Sequence, residues 1–402
     1  MIIRNLENEI RRVIEDGRSL FLFGPRQTGK TTLLNMIVGR SGDILSFSFL
    51  NARLRQQAER DPGFLAQEIS AAKPRLVILD EVQKVPGILD EVQLMIDRER
   101  TIFLITGSSA RKLKRDRANL LAGRAVTFRL DPFDVGERAT FESHPELPET
   151  LQRILTFGDL PEIGLLTRDG KARLAENLLR SYVETFLEEE IRAETLIRKI
   201  GVFGNFLRLA AEASGRILSL SELSRDIGVT HHTVASFFDV LHDAMVIEKI
   251  DPLLPAATRR RLVKSSKYLF FDIGVRNAAA RQLSAVGIGP MEWGNRFEQW
   301  VGLSLLRHMR SRNMAGSLHF WRDHNGPEVD WVVELNGRWI PVEVKWGDTP
   351  RPRHCSHLRT FLEEYGDKAS RGYLIFTGAR PRALDKKILA IPWFRLSEIF
   401  PS

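Results

Sequence analysis

GPRQTGKT, residues 24–31, follows the apolar run SLFLF (19–23) and opens the helical pattern TTLLNMIV (31–38). It fits the pattern GxxxxGK(S/T), placed between a strand and a helix N-terminus, where that pattern has physical meaning. Glycines let the backbone wrap closely around phosphates whose charge the amides and the helix N-terminus stabilise. The expected ATP contacts are Gly24, Pro25, Arg26, Gln27, Thr28, Gly29, Lys30, Thr31 and Thr32. Lys30 is expected to reach the β and γ phosphates, and the Thr31 hydroxyl to hold Mg2+. A glycine-rich turn without a ligand is the bland alternative.

LVILDEVQ (76–83) supplies a partner: a buried strand ending in Asp80-Glu81. Asp80 is expected to bind Mg2+ through water, and Glu81 to orient and deprotonate the attacking water. TIFLIT (101–106) is a further strand ending in Thr106-Gly107-Ser108-Ser109, so that Ser108 stands where a polar side chain senses the γ-phosphate; ordinary loop serines are the alternative. LLAGR (120–124) ends in Arg124, the expected cation for a neighbouring subunit's nucleotide. Arg111, Arg115 and Arg117 compete for that role, and a surface salt bridge is the other reading of Arg124. With AVTFRL (125–130) these strands alternate with helical patterns, the rhythm of an α/β domain with a parallel sheet.

At 402 residues, two or three domains are expected. The polar, proline-bearing TFESHPELPET (140–150) marks a boundary, helical periodicity dominates to about 285, and a smaller α/β pattern follows. The expected domains are 1–145, 146–285 and 286–402. No apolar run approaches the roughly 20 residues of a membrane-spanning helix. The start Met1-Ile2-Ile3-Arg4 lacks a secretory h-region, so a cytoplasmic location is expected. Cys355 is the only cysteine, which excludes internal disulfides and thiolate zinc sites. The net charge of +8 favours a polyanionic partner such as DNA, although a merely soluble basic protein fits too.

GPRQTGKTTLL, LDEVQKVPGILDEVQLMID, ITGSSARKL and LAGR resemble a bacterial and archaeal family of AAA+ ATPases. FGDLPEI (157–163), YLFFDIGVRN (268–277), GNRFEQWV (294–301), FWRDHNGPEVDWVVE and PVEVKW resemble that family's C-terminal half, long labelled a domain of unknown function. The resemblance covers nearly the whole chain. It implies a homo-oligomeric ATPase, a hexameric ring among the options, with a winged-helix middle and a PD-(D/E)xK nuclease-like end. The sensor position carries Thr and Ser where many AAA+ proteins have Asn.

SLSELSRDIGVTHHTVASFFDVLHDAMVIEKI (219–250) reads as helix, turn at Gly228 and second helix, with Val229, Val234, Phe237 and Leu241 inward. Thr230, His231 and His232 at the second helix start suit a DNA groove or phosphate. MVIEKI and KYLFFDI are expected wing strands, and Arg259, Arg260 and Arg261 between them a basic wing tip. A solvated face and a protein-packing module are the alternatives.

PEVDWVVEL-NG-RWIPVEVKW (327–346) is two strand-like runs joined by Asn336-Gly337, a preferred type I′ hairpin turn. A two-residue loop pairs Leu335 with Arg338, which sets Asp330 opposite Glu343 and Glu328 opposite Lys345 on one face. Facing carboxylates repel unless a cation intervenes, and oxygen ligands suit Mg2+ or Mn2+. In a PD-(D/E)xK nuclease Asp330 and Glu343 would hold the metal and Lys345 would act on the attacking water, with Glu298 as an extra acid. Pro341 threatens this register, since it calls for an edge or a bulge. An ion cluster in which Lys345 and Arg322 neutralise Asp330 and Glu343 is the alternative.

The functional expectation is an ATP-hydrolysing protein that remodels or translocates DNA in repair, recombination or defence, with a metal-dependent nuclease end. The competing one is a nucleotide-dependent regulatory switch that binds protein or operator DNA, its nuclease fold inactive.

Overall fold

SLFLF forms β1 (Ser19–Phe23) at the heart of a five-stranded sheet. Its neighbours are β4 (Ile102–Gly107) and β5 (Ala125–Arg129), and beyond β4 lie β3 (Leu76–Asp80) and β2 (Ile44–Ser48), every pairing parallel. Parallel strands need crossover connections, and helices such as Lys30–Val38 and Ile88–Glu99 supply them. β3 and most of β4 are buried along their length, as expected of strands covered on both faces. The order β3-β4-β1 brings the C-terminal ends of all three strands together.

The computed structural model describes residues 2–39, 43–108, 121, 123–186, 200–255, 260–324 and 326–401; Ser109, Arg111, Arg115, Arg117 and Arg259 lie outside them. The chain divides into two compact units, Met1–Asp131 with Asp243–Met245, and Pro132–His242 with Val246–Ser402. No helix among the described residues is long and apolar enough to cross a membrane.

The second unit begins with a short helix Val135–Ala139 and continues with helices Pro148–Phe157, Pro161–Arg168 and Ala172–Ser181. Helices Leu220–Ile227 and His231–Asp243 follow, joined at Gly228, whose left-handed φ of 73° ends the first of them. Val234, Phe237 and Leu241 are buried on the second, and β6 (Ile247–Ile250) and β7 (Lys267–Phe270) form an antiparallel pair. The C-terminal part is a mixed six-stranded sheet, ordered β12 (Arg382–Ala383), β13 (Ile388–Pro392), β11 (Gly372–Phe376), β10 (Arg338–Lys345), β9 (Glu328–Leu335), β8 (Gly316–Arg322). The long helix Pro290–Ser311 sends Phe297, Trp300, Val301 and Leu305 into one core with Trp331, Val333, Val342 and Val344 of the sheet. Each such side chain contributes about 1.5–3 kcal/mol on full burial.

FGDLPEI and YLFFDIGVRN meet in the second unit. Arg307 donates to Asp159 at 2.7 Å and to the Phe271 carbonyl at 2.8 Å; the Trp300 indole donates to Asp159, and Asp159 N–H to Asp272. A Cβ on Gly274 would stand 2.0 Å from the Phe157 carbonyl oxygen. These segments therefore form a buried polar node that fastens helices to one another.

Candidate functional site

The phosphate loop leaves β1 and enters the helix Lys30–Val38 through Gly29, left-handed at φ 87°. Gly24 has no room for a side chain, since a Cβ would stand 2.1 Å from the Leu130 carbonyl oxygen. Thr28 is fully buried and its hydroxyl donates to the Pro25 carbonyl. Lys30 folds back under the loop and donates to the carbonyls of Gly24 (2.9 Å) and Pro25 (2.8 Å). Burial pulls its pKa down to about 8, against the opposing pull of Glu81 and Asp80.

Asp80 ends β3 beneath the loop. It accepts from the Thr31 and Thr106 hydroxyls, each at 2.6 Å, and from Ser48 at 3.1 Å. Thr31 and Asp80 thus present hard oxygen donors of the kind Mg2+ takes. Glu81 follows in a left-handed conformation (φ 61°, ψ 44°), which is costly for a residue with a Cβ and is found where surrounding structure enforces it.

The Thr106 hydroxyl accepts the Glu81 N–H at 3.1 Å, and Gln83, a residue the motif reading passed over, holds the Glu81 side chain. Its buried amide donates to the Glu81 carboxylate and, at 2.8 Å, to the Ser108 hydroxyl. Its carbonyl accepts the Ser108 N–H at 3.3 Å, and the Ser108 hydroxyl also donates to Glu81 at 3.3 Å. Lys30, Thr31, Asp80, Glu81 and Ser108 are accordingly brought together at the strand ends. Arg124 instead pairs with Asp97 at 2.8 Å.

In the second unit the hairpin keeps the predicted register from Leu335↔Arg338 to Trp331↔Val342, with Asn336 (φ 51°) and Gly337 (φ 72°) both left-handed. Pro341 makes no bulge: it pairs with Val332 one residue before β10 begins to pair with β11 at Val342. Beyond Trp331↔Val342 the Asp330 carboxylate accepts the Val344 N–H at 2.7 Å. Glu343 pairs with Lys345 at 2.7 Å, and Arg322 pairs with Glu328 rather than Asp330. A second lysine enters the cluster from β7: Lys267 is buried, bonds Glu298 at 3.0 Å and lies over the Trp331 ring at 4.9 Å. Burial, then the nearby Glu343 and Glu298, push the Asp330 pKa well up. Among the described residues no three His, Cys, Asp or Glu side chains converge as a metal-binding group.

Of the expected basic wing tip, Arg260 and Arg261 lie among the described residues. The segment around it lies along the outer edge of β8: Leu253 N–H donates to the Phe320 carbonyl, Val263 N–H to Arg322, and His324 N–H to the Arg261 carbonyl. An edge strand presents unpaired backbone groups, and this segment satisfies them. Arg260, read in the sequence as a phosphate contact, instead bonds Asp323 and Glu364 and lies over Trp321. Arg261 is exposed, as are Thr230, His231 and His232, where the Thr230 hydroxyl caps the helix through the Thr233 N–H.

With this geometry, residues 16–139 match the family model described as an AAA domain. The first unit is an AAA-like P-loop ATPase domain. Residues 148–286 and 293–396 match two models described as domains of unknown function. An uncharacterized protein of Mycobacterium tuberculosis is 26% identical over 97% of this chain and 83% of its own length. One of Haemophilus influenzae is 22% identical over 89% of this chain and 91% of its own. A Walker-type ATPase of Pyrococcus abyssi is 14% identical in sequence, covering 68% of this chain and 94% of its own, at a TM-score of 0.48.

Proposed function

We propose that this chain hydrolyses ATP and uses the energy to remodel or translocate DNA. The observation that carries the first half is the convergence of Lys30, Thr31, Asp80 and Glu81 at the ends of β1 and β3. When bound, Mg2+ held by Thr31 and Asp80 would neutralise phosphate charge. Lys30 turns from its loop carbonyls to the β and γ phosphates. Glu81 takes a proton from water as that water's oxygen bonds to the γ-phosphorus and the bond to the β-phosphate oxygen breaks. Gln83 and Ser108 hold Glu81 in place for this step. Arg124 leaves Asp97 to meet a neighbouring subunit's nucleotide in a homo-oligomer, which an exposed ion pair of small net worth permits.

The three-part organisation 1–145, 146–285 and 286–402 belongs to this proposal, the middle acting as a winged helix on DNA and the end as a nuclease-like fold. Glu343 Oε2, buried without a hydrogen-bond partner, supports a cation site with Asp330 for Mg2+ or Mn2+. The two lysines already beside the carboxylates favour a second reading, in which that fold binds without cutting and the chain is a nucleotide switch.

Turnover of ATP with and without DNA tests the main reading; DNA-independent turnover would leave the switch. Cleavage of DNA in Mg2+ or Mn2+ that disappears in Glu343→Ala would establish the nuclease.

A further inference from the structure

A cleft of about 1000 Å3 opens in the second unit beside the start of helix His231–Asp243. One wall is the segment 215–222 and His231, a second the segment 263–268 that follows the docked loop, and the third Glu298, Arg322, His324 and Glu328 of the nuclease-like part. The expected DNA-reading helix and the carboxylate-bearing sheet therefore face one space.

The charges in this space are unequal in availability. Glu298 is neutralised by Lys267 and Glu328 by Arg322. Glu222 is left as an acid, while Arg216 and Lys264 are both exposed, and no ion pair within the described residues takes either. Ser219, Ser221 and Ser265 add hydroxyls along the same walls. A cationic, hydroxyl-lined concavity suits phosphodiester oxygens. Its volume is at the upper end of small-ligand sites, which fits a short run of one strand and not the convex rod of a duplex.

We infer that this cleft holds a single strand of DNA, with Arg216, Lys264 and His231 on its phosphates, rather than the loop at Arg260 gripping a duplex. The inference rests on the DNA-binding reading above and names the surface that performs it. Lys267 and Glu298 form part of the cleft wall, and the charges of both act on Asp330. A strand lying there would pass Glu298, the member of the carboxylate cluster that the wall includes.

The test measures binding of a labelled single-stranded oligonucleotide to the full chain across a salt series. Arg216→Glu with Lys264→Glu should weaken binding at least tenfold at low salt. Loss of two phosphate contacts should flatten the slope of log affinity against log salt by about 1.4. The milder pair Arg216→Gln with Lys264→Gln should flatten it equally if charge reversal impairs folding, and exposed Lys386→Glu, outside the cleft, should leave it unchanged. An unaltered affinity and slope in the folded double variants overturns the inference while DNA binding itself stands. Duplex competing as well as single strand overturns the strand assignment. If the unaltered chain binds no DNA at all, the DNA reading falls first and takes the cleft with it.

Discussion

Gln83→Ala should separate catalysis from nucleotide binding. The substitution removes the amide that bonds Glu81 and Ser108, together with the carbonyl that accepts the Ser108 N–H. Leaving that buried N–H unsatisfied costs about 1–3 kcal/mol of stability. Glu81 then keeps the longer bond from the Ser108 hydroxyl at 3.3 Å on its carboxylate and the bond of its N–H to Thr106, so the carboxylate is held less tightly. A displacement of about 1 Å in a positioned group costs roughly a hundredfold in rate, about 2.7 kcal/mol of barrier. Gln83 donates nothing to the phosphate loop, so ATP affinity should stay within about twofold, well inside 1 kcal/mol. Gln83→Glu should fall further than Ala, because it sets a second carboxylate against Glu81. The assay is steady-state phosphate release alongside equilibrium binding of ATP. Wild-type turnover by the Ala variant would refute the positioning role.

Lys30 has a folded pKa lowered from 10.5 to about 8, so between those values the folded, ligand-free protein binds fewer protons than the unfolded chain. Stability from this group therefore rises with pH across that window, and ATP, by restoring the charge, should bind with proton uptake there; binding enthalpy that does not depend on buffer ionisation at about pH 9 would contradict this. Arg307→Met leaves the buried Asp272 without its cation, while Asp159 keeps its pair with Arg138, and should cost the second unit about 3–5 kcal/mol, read in denaturant melts, whereas an exposed control such as Arg12→Met should cost under about 1 kcal/mol. Arg124→Ala should lower ATP turnover at high protein concentration, where subunits meet, and have little effect at low concentration; one unaltered rate throughout would remove it from catalysis.

The legible parts of the sequence were those with a local physical signature. Strand–glycine loop–helix marked the turn from β1 into the helix Lys30–Val38, and Asn336-Gly337 fixed a hairpin register that Pro341 did not disturb, because it lies just ahead of the β11 pairing. β2 escaped notice because ILSFS is an edge strand with only Phe47 buried, so it shows neither a continuous apolar run nor a clean alternation. Gln83 escaped because its role depends on Ser108, brought to it across the β3–β4 ladder and not by any spacing in the chain. The docked loop at Arg260 and the reach of Lys267 into the carboxylates are long-range pairings with no local pattern, and a basic run looks the same in sequence whether solvated or held by Asp323 and Glu364.

The account stands on ATP being bound and split at the strand ends of the first unit. Phosphate release from ATP and Mg2+ by purified full-length chain, measured beside Lys30→Ala, tests that most directly. Steady release by the unaltered chain, reduced at least a hundredfold in the variant, is the predicted result. Equal release by both, or none from well-folded unaltered protein with DNA present, would contradict it.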